Sequence, residues 1–491
     1  MMGQFKFHAM VRLIPTVCLG LMLSTIALAD VAFTPDGFVI RDGRPHLILG
    51  VYELPADDAL LKQMADSGIN LVSVGGDATS LDRLQKLGMW GWVPLGPQVA
   101  LPEGNQEAKA ALEATVKRFK DHPALLCWEG PDEALWLEWF KSYDWQLGEQ
   151  PKRLMELIQK AAPTHSQEDV ARWNGLLLKG ADYAQRSMWK ESEEAINALW
   201  KELGSENPNP DLQVTNRIQA ANRLGDELTR GWECVWSLDK NHVFWQNHAP
   251  GNSIADLRHF NRGVHAAGCD IYPAPFNKGV LHGSTLPNID LTVVGDFTEH
   301  MRAGAPGKAC WMVLQGFGWV DLQDRFNPTD PVNGRQPTYA ETRFMAYNSL
   351  LHGANALIYW GTSYIKKDGA LWGDIMKVCK ELRALEPAIV GTVPPMSPVV
   401  LAETNYTAFN GGDPKLLFRQ VDNDWVLIAM NEQRVGVAFQ IEGLPEELEG
   451  KTLFRLYSNE EHTVNDGGFR DGVAAQGVHV YATSRKFEAK L

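Results

Sequence analysis

Short apolar runs rich in β-branched and aromatic residues alternate along the chain with stretches whose apolar positions recur at helical spacing. The runs predict eight strands, at 47–52, 69–74, 90–95, 124–129, 242–247, 269–272, 309–314 and 356–360. The intervening stretches predict helices, most clearly at 56–67, 78–87, 104–120, 253–266, 337–352 and 371–386. Because the strand runs are continuously apolar rather than alternating, both faces of each strand are expected to be buried, as in a parallel sheet.

Eight strand–helix units in this order predict an α/β fold, a (β/α)8 TIM barrel. The alternative is a doubly wound open sheet, which would want a glycine-rich nucleotide turn after an early strand. The sequence has no such turn, and the barrel is therefore preferred. Ahead of the first unit, FVIRDGRPHL predicts a β-hairpin with Asp42-Gly43 as its turn.

The repeat is interrupted after the fourth strand. Residues 137–204 are Trp-rich and amphipathic with helical spacing, and a further helix over 211–232 leads back to the fifth strand. An insertion at the C-terminal end of a barrel strand lies over the barrel mouth, where it would form a lid or cleft wall. A structural packing element or a dimer surface is an equal expectation.

The pattern changes again near residue 393. VPPMSP over 393–398 predicts a linker, and 399–491 holds short alternating strands separated by Gly, Asp and Asn turns. This predicts an antiparallel β-sandwich. The barrel domain is accordingly expected over 30–392 and the sandwich over 393–491. For the role of the sandwich, packing against the barrel is preferred to glycan binding.

The first 29 residues have the pattern of a signal peptide. Lys6 and Arg12 precede an apolar run over 13–29, and Ala27-Leu28-Ala29 before Asp30 is a small-x-small cleavage site. A membrane anchor is the alternative, but the run is short for a span of ~20 residues. The mature chain is therefore expected to begin at Asp30, to be secreted or periplasmic, and to have no integral membrane segment.

Composition and motifs exclude several classes of function. The 46 Lys and Arg residues against 60 Asp and Glu residues give a formal charge of −14, and without a basic run no nucleic-acid partner is expected. The sequence contains no P-loop, G-x-S-x-G, G-x-G-x-x-G or H-E-x-x-H motif, so neither a cofactor nor a metal is expected. Apolar surroundings and the absence of C-x-x-C predict buried, unreactive thiols at Cys127, Cys234, Cys269, Cys310 and Cys379.

The predicted C-terminal strand ends carry carboxylates, amides and aromatic rings. In a parallel barrel these ends form the mouth where working residues lie. Such a mouth suits a neutral polyhydroxylated ligand, because amides and acids bond hydroxyls while rings cover apolar C–H faces. The candidate substrate-binding residues are Tyr52, Trp128, Glu129, Asp132, Asn247, Tyr272, Gln315, Trp319 and Trp360. No cation is offered at these positions.

Several segments resemble TIM-barrel glycoside hydrolases of the large clan that includes β-galactosidases and cellulases. They are DGRPHLILGVYE, HPALLCWEGPDE, DIYP, ACWMVLQGFGW and GANALIYWGTS, followed by the β-sandwich. The resemblance implies a carbohydrate substrate, with Glu133 after Asp132 as the acid/base. It also places Gln315 where the clan has its nucleophilic Glu, and an amide cannot form the glycosyl-enzyme ester.

Three explanations of the missing nucleophile remain open. In the first, another carboxylate at the barrel mouth takes the role of the nucleophile, with Glu53, Glu129 and Asp270 as candidates. This explanation is preferred. The expected catalytic residues are Glu133, Glu53 and Asp270. Alternatively the protein binds glycans without cleaving them. In the third explanation the end of strand seven lies elsewhere, and Asp321 or Glu299 is the partner. Structural roles compete with these: Asp132 and Glu133 could cap the next helix, and Asp270 could bond loop backbone.

Overall fold

The computed structural model describes residues 30–275, 288–322, 334–403 and 413–491. A hairpin-containing sheet opens the chain, formed by β1 (Ala32–Phe33), β2 (Val39–Arg41) and β3 (Arg44–His46). Arg41 pairs with Arg44, and the turn residues Asp42 and Gly43 have φ of 51° and 75°. The predicted hairpin is therefore confirmed, because positive φ at both central positions is what its two-residue turn requires.

Eight parallel strands close into a barrel. Neighbouring strands in it are consecutive in the chain, and β11 closes on β4. The strands are β4 (Ile48–Val51), β5 (Leu71–Ser73), β6 (Trp90–Pro94), β7 (Leu125–Glu129), β8 (Val243–His248), β9 (Ala266–Ile271), β10 (Ala309–Gln315) and β11 (Ala356–Trp360). The predicted α/β TIM barrel is confirmed.

Twelve helices are described. In chain order they are α1 (Asp58–Asp66), α2 (Ala78–Gln85), α3 (Gln106–Phe119), α4 (Ala134–Tyr143), α5 (Gln150–Ala161), α6 (Gln167–Gln185), α7 (Trp189–Glu202), α8 (Val214–Leu238), α9 (Ile254–Phe260), α10 (Val293–Gly304), α11 (Tyr339–Leu351) and α12 (Ala370–Ile389). None of the described helices is long and apolar enough to span a membrane. Five cysteines are free and buried, as expected: Cys127, Cys234, Cys269, Cys310 and Cys379.

The boundary between α9 and β9 differs from the sequence prediction. A helix was expected to continue to 266, but α9 ends at Phe260 and β9 already begins at Ala266. A Cβ added at Gly268 would lie 1.5 Å from the Trp311 carbonyl oxygen. The Ala-Ala-Gly segment thus lets β9 approach β10 closely, although none of its residues carries the β-branched signature of a strand.

The insertion after β7 has a hydrophobic core of its own. Trp145, Leu154, Trp173, Leu199 and Trp200 are buried together within α5, α6, α7 and the π-helical turn 144–149. The insertion is joined to the barrel through α4 and the long helix α8, which starts at Val214 and ends at Leu238 rather than spanning the predicted 211–232. It is therefore a separately packed element.

The C-terminal region is the predicted antiparallel β-sandwich. One sheet has the order β12-β15-β18 and the other β13-β14-β19-β16-β17. The strands are β12 (Val399–Ala402), β13 (Lys415–Val421), β14 (Asp424–Met430), β15 (Val437–Glu442), β16 (Thr452–Arg455), β17 (Glu461–Thr463), β18 (Phe469–Val473) and β19 (Val478–Ala482). The sandwich packs on the barrel, where Arg343 donates to the Val478 carbonyl at 2.7 Å and pairs with the fully buried Glu381.

Candidate active site

Four carboxyl groups collect at the C-terminal ends of β7 and β9. Glu129 is the last residue of β7, Asp132 and Glu133 follow it, and Asp270 lies near the end of β9. Asn247 near the end of the intervening strand β8 links two of them, since its Nδ2 donates to Asp132 Oδ1 at 2.8 Å and Asp270 Oδ1 at 2.6 Å. The barrel topology thus brings together residues that are up to 141 positions apart in the range 129–270.

The shared amide fixes how far apart two of these carboxylates are. Because one nitrogen bonds both oxygens, Asp132 Oδ1 and Asp270 Oδ1 are at most about 5.4 Å apart. Retaining glycosidases hold their two carboxyl groups ~5–5.5 Å apart, whereas inverting enzymes need ~6.5–9.5 Å. The facing oxygens of Asp132 and Asp270 are therefore closer together than the carboxyl separation of inverting enzymes.

Asp270 is buried, and both of its carboxyl oxygens are held. Asn247 bonds Oδ1, and the Tyr272 hydroxyl donates to Oδ2 at 2.7 Å. Burial raises the pKa of Asp270 well above its usual range, and the charges of Asp132 and Glu133 raise it further. The hydrogen bonds from Tyr272 and Asn247 oppose this shift, so the ionised form is disfavoured but has its partners in place.

Asp132 stands at the rim of the same cluster. The residue as a whole is exposed, but its carboxylate lies against the buried Asn247 amide. Desolvation of that carboxylate raises the pKa of Asp132, and the hydrogen bond from Asn247 partly offsets the effect.

Glu129 lies deeper in the barrel, with 5% of its surface exposed. Its Oε2 accepts a hydrogen bond from the Trp92 indole at 2.9 Å. Burial, reinforced by the charge of Asp132, raises the pKa of Glu129 to about 8, against the opposing hydrogen bonds of Trp92 and Tyr52. Near neutral pH the Glu129 carboxyl is therefore mostly protonated. Trp92 was not among the sequence candidates, because it lies two positions before the end of β6.

Glu133 has a left-handed backbone conformation, which costs conformational energy for any residue other than glycine. Its φ is 47° and its ψ 27°, in the left-handed region, immediately before α4. Its backbone N–H donates to the Asn247 carbonyl at 3.3 Å, which ties the β7 loop to β8. Glu133 is the N-cap residue of α4, but its side chain forms no capping hydrogen bond with that helix.

Glu53 lies apart from this cluster. Its Oε2 accepts from the Thr362 hydroxyl and from Lys367 Nζ, each at 2.8 Å, joining the end of β4 to the loop after β11. Lys367 also lies 4.5 Å from the Trp372 ring centre. The ion pair favours a structural role for Glu53, and Lys367 brings a cation to a mouth where the sequence predicted none.

Gln315 is fully buried and its amide is satisfied by backbone. Oε1 accepts from the Ala274 N–H at 2.8 Å, and Nε2 donates to the Ala274 carbonyl at 2.6 Å and the Phe317 carbonyl at 3.0 Å. Both amide protons are used. Gln315 therefore clamps the loop after β9 to β10, which leaves its N–H groups unable to bind the substrate hydroxyl that the sequence predicted.

The predicted aromatic residues divide into two groups. Trp360 and Tyr272 stack at the mouth with ring centres 5.5 Å apart, while Tyr52 packs edge-on against Trp92. Trp128 is fully buried, and its indole donates to Asp239 at 2.7 Å on the helix side of the sheet. Consecutive strand residues face opposite sides, so Glu129 enters the barrel and Trp128 cannot. Trp128 is not brought into the cluster.

Three further sequence candidates also lie outside the carboxyl cluster: Trp319, Asp321 and Glu299. Trp319 is buried, and its indole donates to the Pro275 carbonyl at 3.1 Å. Asp321 accepts from the Gly318 N–H at 2.7 Å within its own turn. Glu299 lies on α10, where it pairs with His352 at 2.6 Å. These contacts give Asp321 and Glu299 structural partners and do not bring either of them to the carboxyl cluster.

One group of potential metal ligands is present in the described part of the sandwich. Oxygen and nitrogen atoms of Glu460, His462 and Asp471 lie within 4.8 Å of one another. Arg455 already lies between the two acids, bonded to Glu460 and 3.6 Å from Asp471. The group therefore has its own positive counter-charge, and it lies outside the barrel mouth.

Sequence comparison with family models and with curated proteins finds no match. Solved structures share the architecture. A β-galactosidase from Bacillus circulans sp. alkalophilus is 10% identical with a TM-score of 0.50, over 90% of this chain and 100% of that one. A glycoside hydrolase family 5 structure from Bacteroides vulgatus ATCC 8482 is 13% identical with a TM-score of 0.50, over 92% of each chain.

A β-galactosidase from the psychrophilic Marinomonas ef1 is 13% identical with a TM-score of 0.43, and the alignment covers 69% of this chain. The chain spans 60% of the length of that relative. The fold is that of the TIM-barrel glycosidases. The resemblance carried by the sequence motifs is thereby confirmed for the fold, with the family unassigned.

Proposed function

We propose that this protein is an exported glycoside hydrolase that acts on a neutral oligo- or polysaccharide, with Glu133 as general acid/base. The observation that carries the proposal is the cluster of Asp132, Glu133 and Asp270 around Asn247 at the barrel mouth. A fold shared with glycoside hydrolases supports it, since active sites of TIM-barrel enzymes lie at this end of the strands.

Asp270 is proposed as the second carboxylate. Both residues contact Asn247: its side-chain amide donates to Asp270 at 2.6 Å, and its carbonyl accepts from the Glu133 backbone N–H at 3.3 Å. Tyr272 and Asn247 fix the orientation of the Asp270 carboxyl and stabilise its ionised form. An oxocarbenium-like charge developing on the sugar would further favour ionised Asp270, because an opposite charge nearby lowers a carboxyl pKa.

Glu133 is proposed to donate the proton that the leaving oxygen needs. General acid catalysis is efficient when the donor stays protonated near the working pH. The charges of Asp132 and Glu133 raise the pKa of Asp270, so the three carboxyl groups do not readily ionise together. The half-buried Trp360, backed by the buried Tyr272 ring, then offers an aromatic surface for an apolar sugar face.

The second candidate is a glycan-binding protein without hydrolytic activity. It is favoured by Gln315, since an amide bonded to the backbone at the clan's nucleophile position can neither attack nor be freed without breaking three hydrogen bonds. In this alternative the aromatic and carboxyl groups of the mouth bind sugar, and the strained Glu133 backbone has no catalytic purpose.

The two candidates separate in one assay. Chain 30–491 is incubated with neutral oligosaccharides and aryl glycosides, and reducing ends, released phenol and binding heat are measured, with Asp270→Asn as the matched variant. Hydrolysis that is lost in the variant supports the enzyme. Saturable binding without release of product, in both proteins, supports the glycan-binding protein.

Export is part of the proposal and rests on the sequence of residues 1–29, which lie outside the described residues. Expression with the leader and N-terminal sequencing of the secreted product should find Asp30. Retention of Met1 in a membrane fraction would contradict it.

A further inference from the structure

A cleft of about 710 Å³ lies at the opposite end of the barrel from the carboxyl cluster. It is bounded by the loop between β1 and β2, the segments preceding β9, β10 and β11, and strand β13 of the sandwich. Strand β10 has 7 residues, and at ~3.3 Å per residue its two ends are roughly 20 Å apart. The cleft is therefore separate from the candidate active site.

Three cations from three different elements line this cleft: Arg302 of α10, Lys308 before β10 and Arg419 of β13. Each donates to backbone carbonyl oxygens. The acceptors include those of His352, Val264 and Phe418, respectively. Within the described ranges of the chain, none of the three forms an ion pair. This is unusual for a chain with a net charge of −14, in which many basic side chains have an acidic partner.

The local charge balance of the cleft is positive. Asp36 is the one carboxylate among the described lining residues, and its charge acts on Arg419. Burial lowers the pKa of Arg419 and the pKa of Lys308, the direction expected for cations partly removed from water. Cations in this condition are stabilised by an incoming anion.

A purely structural role accounts for only part of this arrangement. Arg302 lies in the last turn of α10, where a cation offsets the helix dipole, and Lys308 caps nearby carbonyls. Arg419 lies on a β-strand, so it does not offset a helix dipole. Its Nε is buried and has no hydrogen-bond partner in the described part of the chain. An unsatisfied, buried guanidinium N–H leaves the charge of Arg419 incompletely stabilised, and an anion bound beside this side chain in the cleft would offset that cost.

We propose that the cleft binds a small multivalent oxyanion of the phosphate or sulfate class, either free or carried on a sugar as an ester. Arg419, Arg302 and Lys308 would donate to its oxygens, since guanidinium groups suit such anions through paired N–H donors. The volume falls within the range of small-molecule sites, ~300–1,000 Å³, which leaves room for one sugar ring beside the anion.

Isothermal titration and thermal unfolding of chain 30–491 test this site. The probes are inorganic phosphate, inorganic sulfate, glucose 6-phosphate and glucose, at constant ionic strength set with chloride. Phosphate and sulfate should bind saturably and raise the Tm, whereas glucose should do neither. Tighter binding of the sugar phosphate identifies an ester as the ligand, and equal binding identifies the free anion; both support the site.

Variants distinguish this site from general charge attraction. Arg419→Gln should weaken the binding of phosphate at least about tenfold, the usual effect of losing a charge-assisted hydrogen bond. Arg434→Gln is the matched control, because that exposed arginine pairs with Asp290 outside the cleft. If Arg419→Gln fails to fold, Lys308→Gln must show the loss. Absence of saturable binding by either anion, or equal weakening in the control, would overturn the proposal.

Discussion

Gln315 at the end of β10 and Ala274 after the end of β9 are joined by two hydrogen bonds. The Gln315 side-chain amide accepts from the Ala274 backbone N–H and donates to the Ala274 carbonyl. The resemblance of the sequence to TIM-barrel glycoside hydrolases implies a nucleophilic carboxylate at position 315, where the chain has an amide. Only an amide side chain at position 315 can form all three hydrogen bonds, because it must donate to two carbonyls and accept from one N–H.

Gln315→Glu is therefore expected to destabilise the fold without creating a nucleophile. A carboxylate would face the Ala274 and Phe317 carbonyls with no proton to donate, and unsatisfied buried groups cost about 1–3 kcal/mol, more when charged. Urea unfolding measures the loss. The exposed Gln420→Glu makes the same chemical change and should stay within about 0.5 kcal/mol of the parent. Undiminished stability together with new or higher hydrolysis would show that residue 315 faces the substrate.

A second prediction concerns the pH dependence of stability. Glu129 has a folded-state pKa of about 8, above its unfolded value near 4.5, so the folded protein binds the extra proton between these values. The contribution of this group to stability is thus fully present below the unfolded pKa and is lost as pH rises to about 8, by up to roughly 1.4 kcal/mol per pH unit. Asp270 and Asp132 shift in the same direction.

Glu129→Gln removes that contribution. Its free energy of unfolding should decline less steeply than that of the parent between pH 5 and pH 8, in a series of denaturant titrations. The exposed Glu156→Gln is the control and should parallel the parent. Parallel curves for Glu129→Gln as well would mean that Glu129 is ionised in the folded protein.

Asn247 is predicted to set the acid limb of the activity profile. Its amide hydrogen bonds lower the pKa of both Asp132 and Asp270. Asn247→Leu keeps the approximate volume and removes the donor, so both values should rise and the acid limb of kcat/KM should move to higher pH. The exposed Asn174→Leu should leave the profile unchanged. If the acid limb of the variant stays at the pH of the parent, the ionisation of Asp132 and Asp270 does not control activity.

The insertion is predicted to be dispensable for folding. Its core of Trp145, Leu154, Leu199 and neighbouring residues is separate from that of the barrel, whereas Leu135 and Trp232 at its two connections belong to the barrel core. Replacing 137–204 by a short Gly/Ser linker should leave a cooperative thermal transition and the circular dichroism of a folded barrel. An unfolded or aggregated deletion variant would make the insertion part of the core.

The strands were predictable because burial on both faces leaves a local signature of continuous apolar sequence. The prediction failed where this signature is missing: β9 begins with Ala-Ala-Gly, β17 is Glu-His-Thr, and β18 has Arg, Asp and Gly between its terminal Phe and Val. The helix α10 was not among the predicted helices. These elements owe their conformation to neighbours, such as Trp311 beside Gly268, that sequence position does not disclose.

The site was predictable in so far as strand ends converge in a parallel barrel. This placed Asp132, Glu133, Asn247 and Asp270 together. The function of an individual side chain depends on which face of its strand it occupies and on its hydrogen-bond partner. For Trp128 that partner is Asp239, and for Gln315 it is Ala274, and neither follows from spacing.

The central claim is that Glu133 protonates the leaving oxygen, and a comparison of two substrates tests it directly. Glu133→Gln keeps the side-chain size and removes the proton, so turnover of an unactivated glycoside should fall by about 10²–10⁴, the usual range for general acid catalysis. A nitrophenyl glycoside needs little protonation of its leaving group, so its rate of bond cleavage should fall far less.

The measurement is kcat/KM of folded parent and Glu133→Gln proteins on both substrates. A loss on the unactivated glycoside that exceeds the loss on the nitrophenyl glycoside by at least about tenfold is the predicted result. Unchanged turnover of the unactivated glycoside would contradict the account, and so would an equal loss on both substrates, which would assign Glu133 to binding or nucleophilic attack.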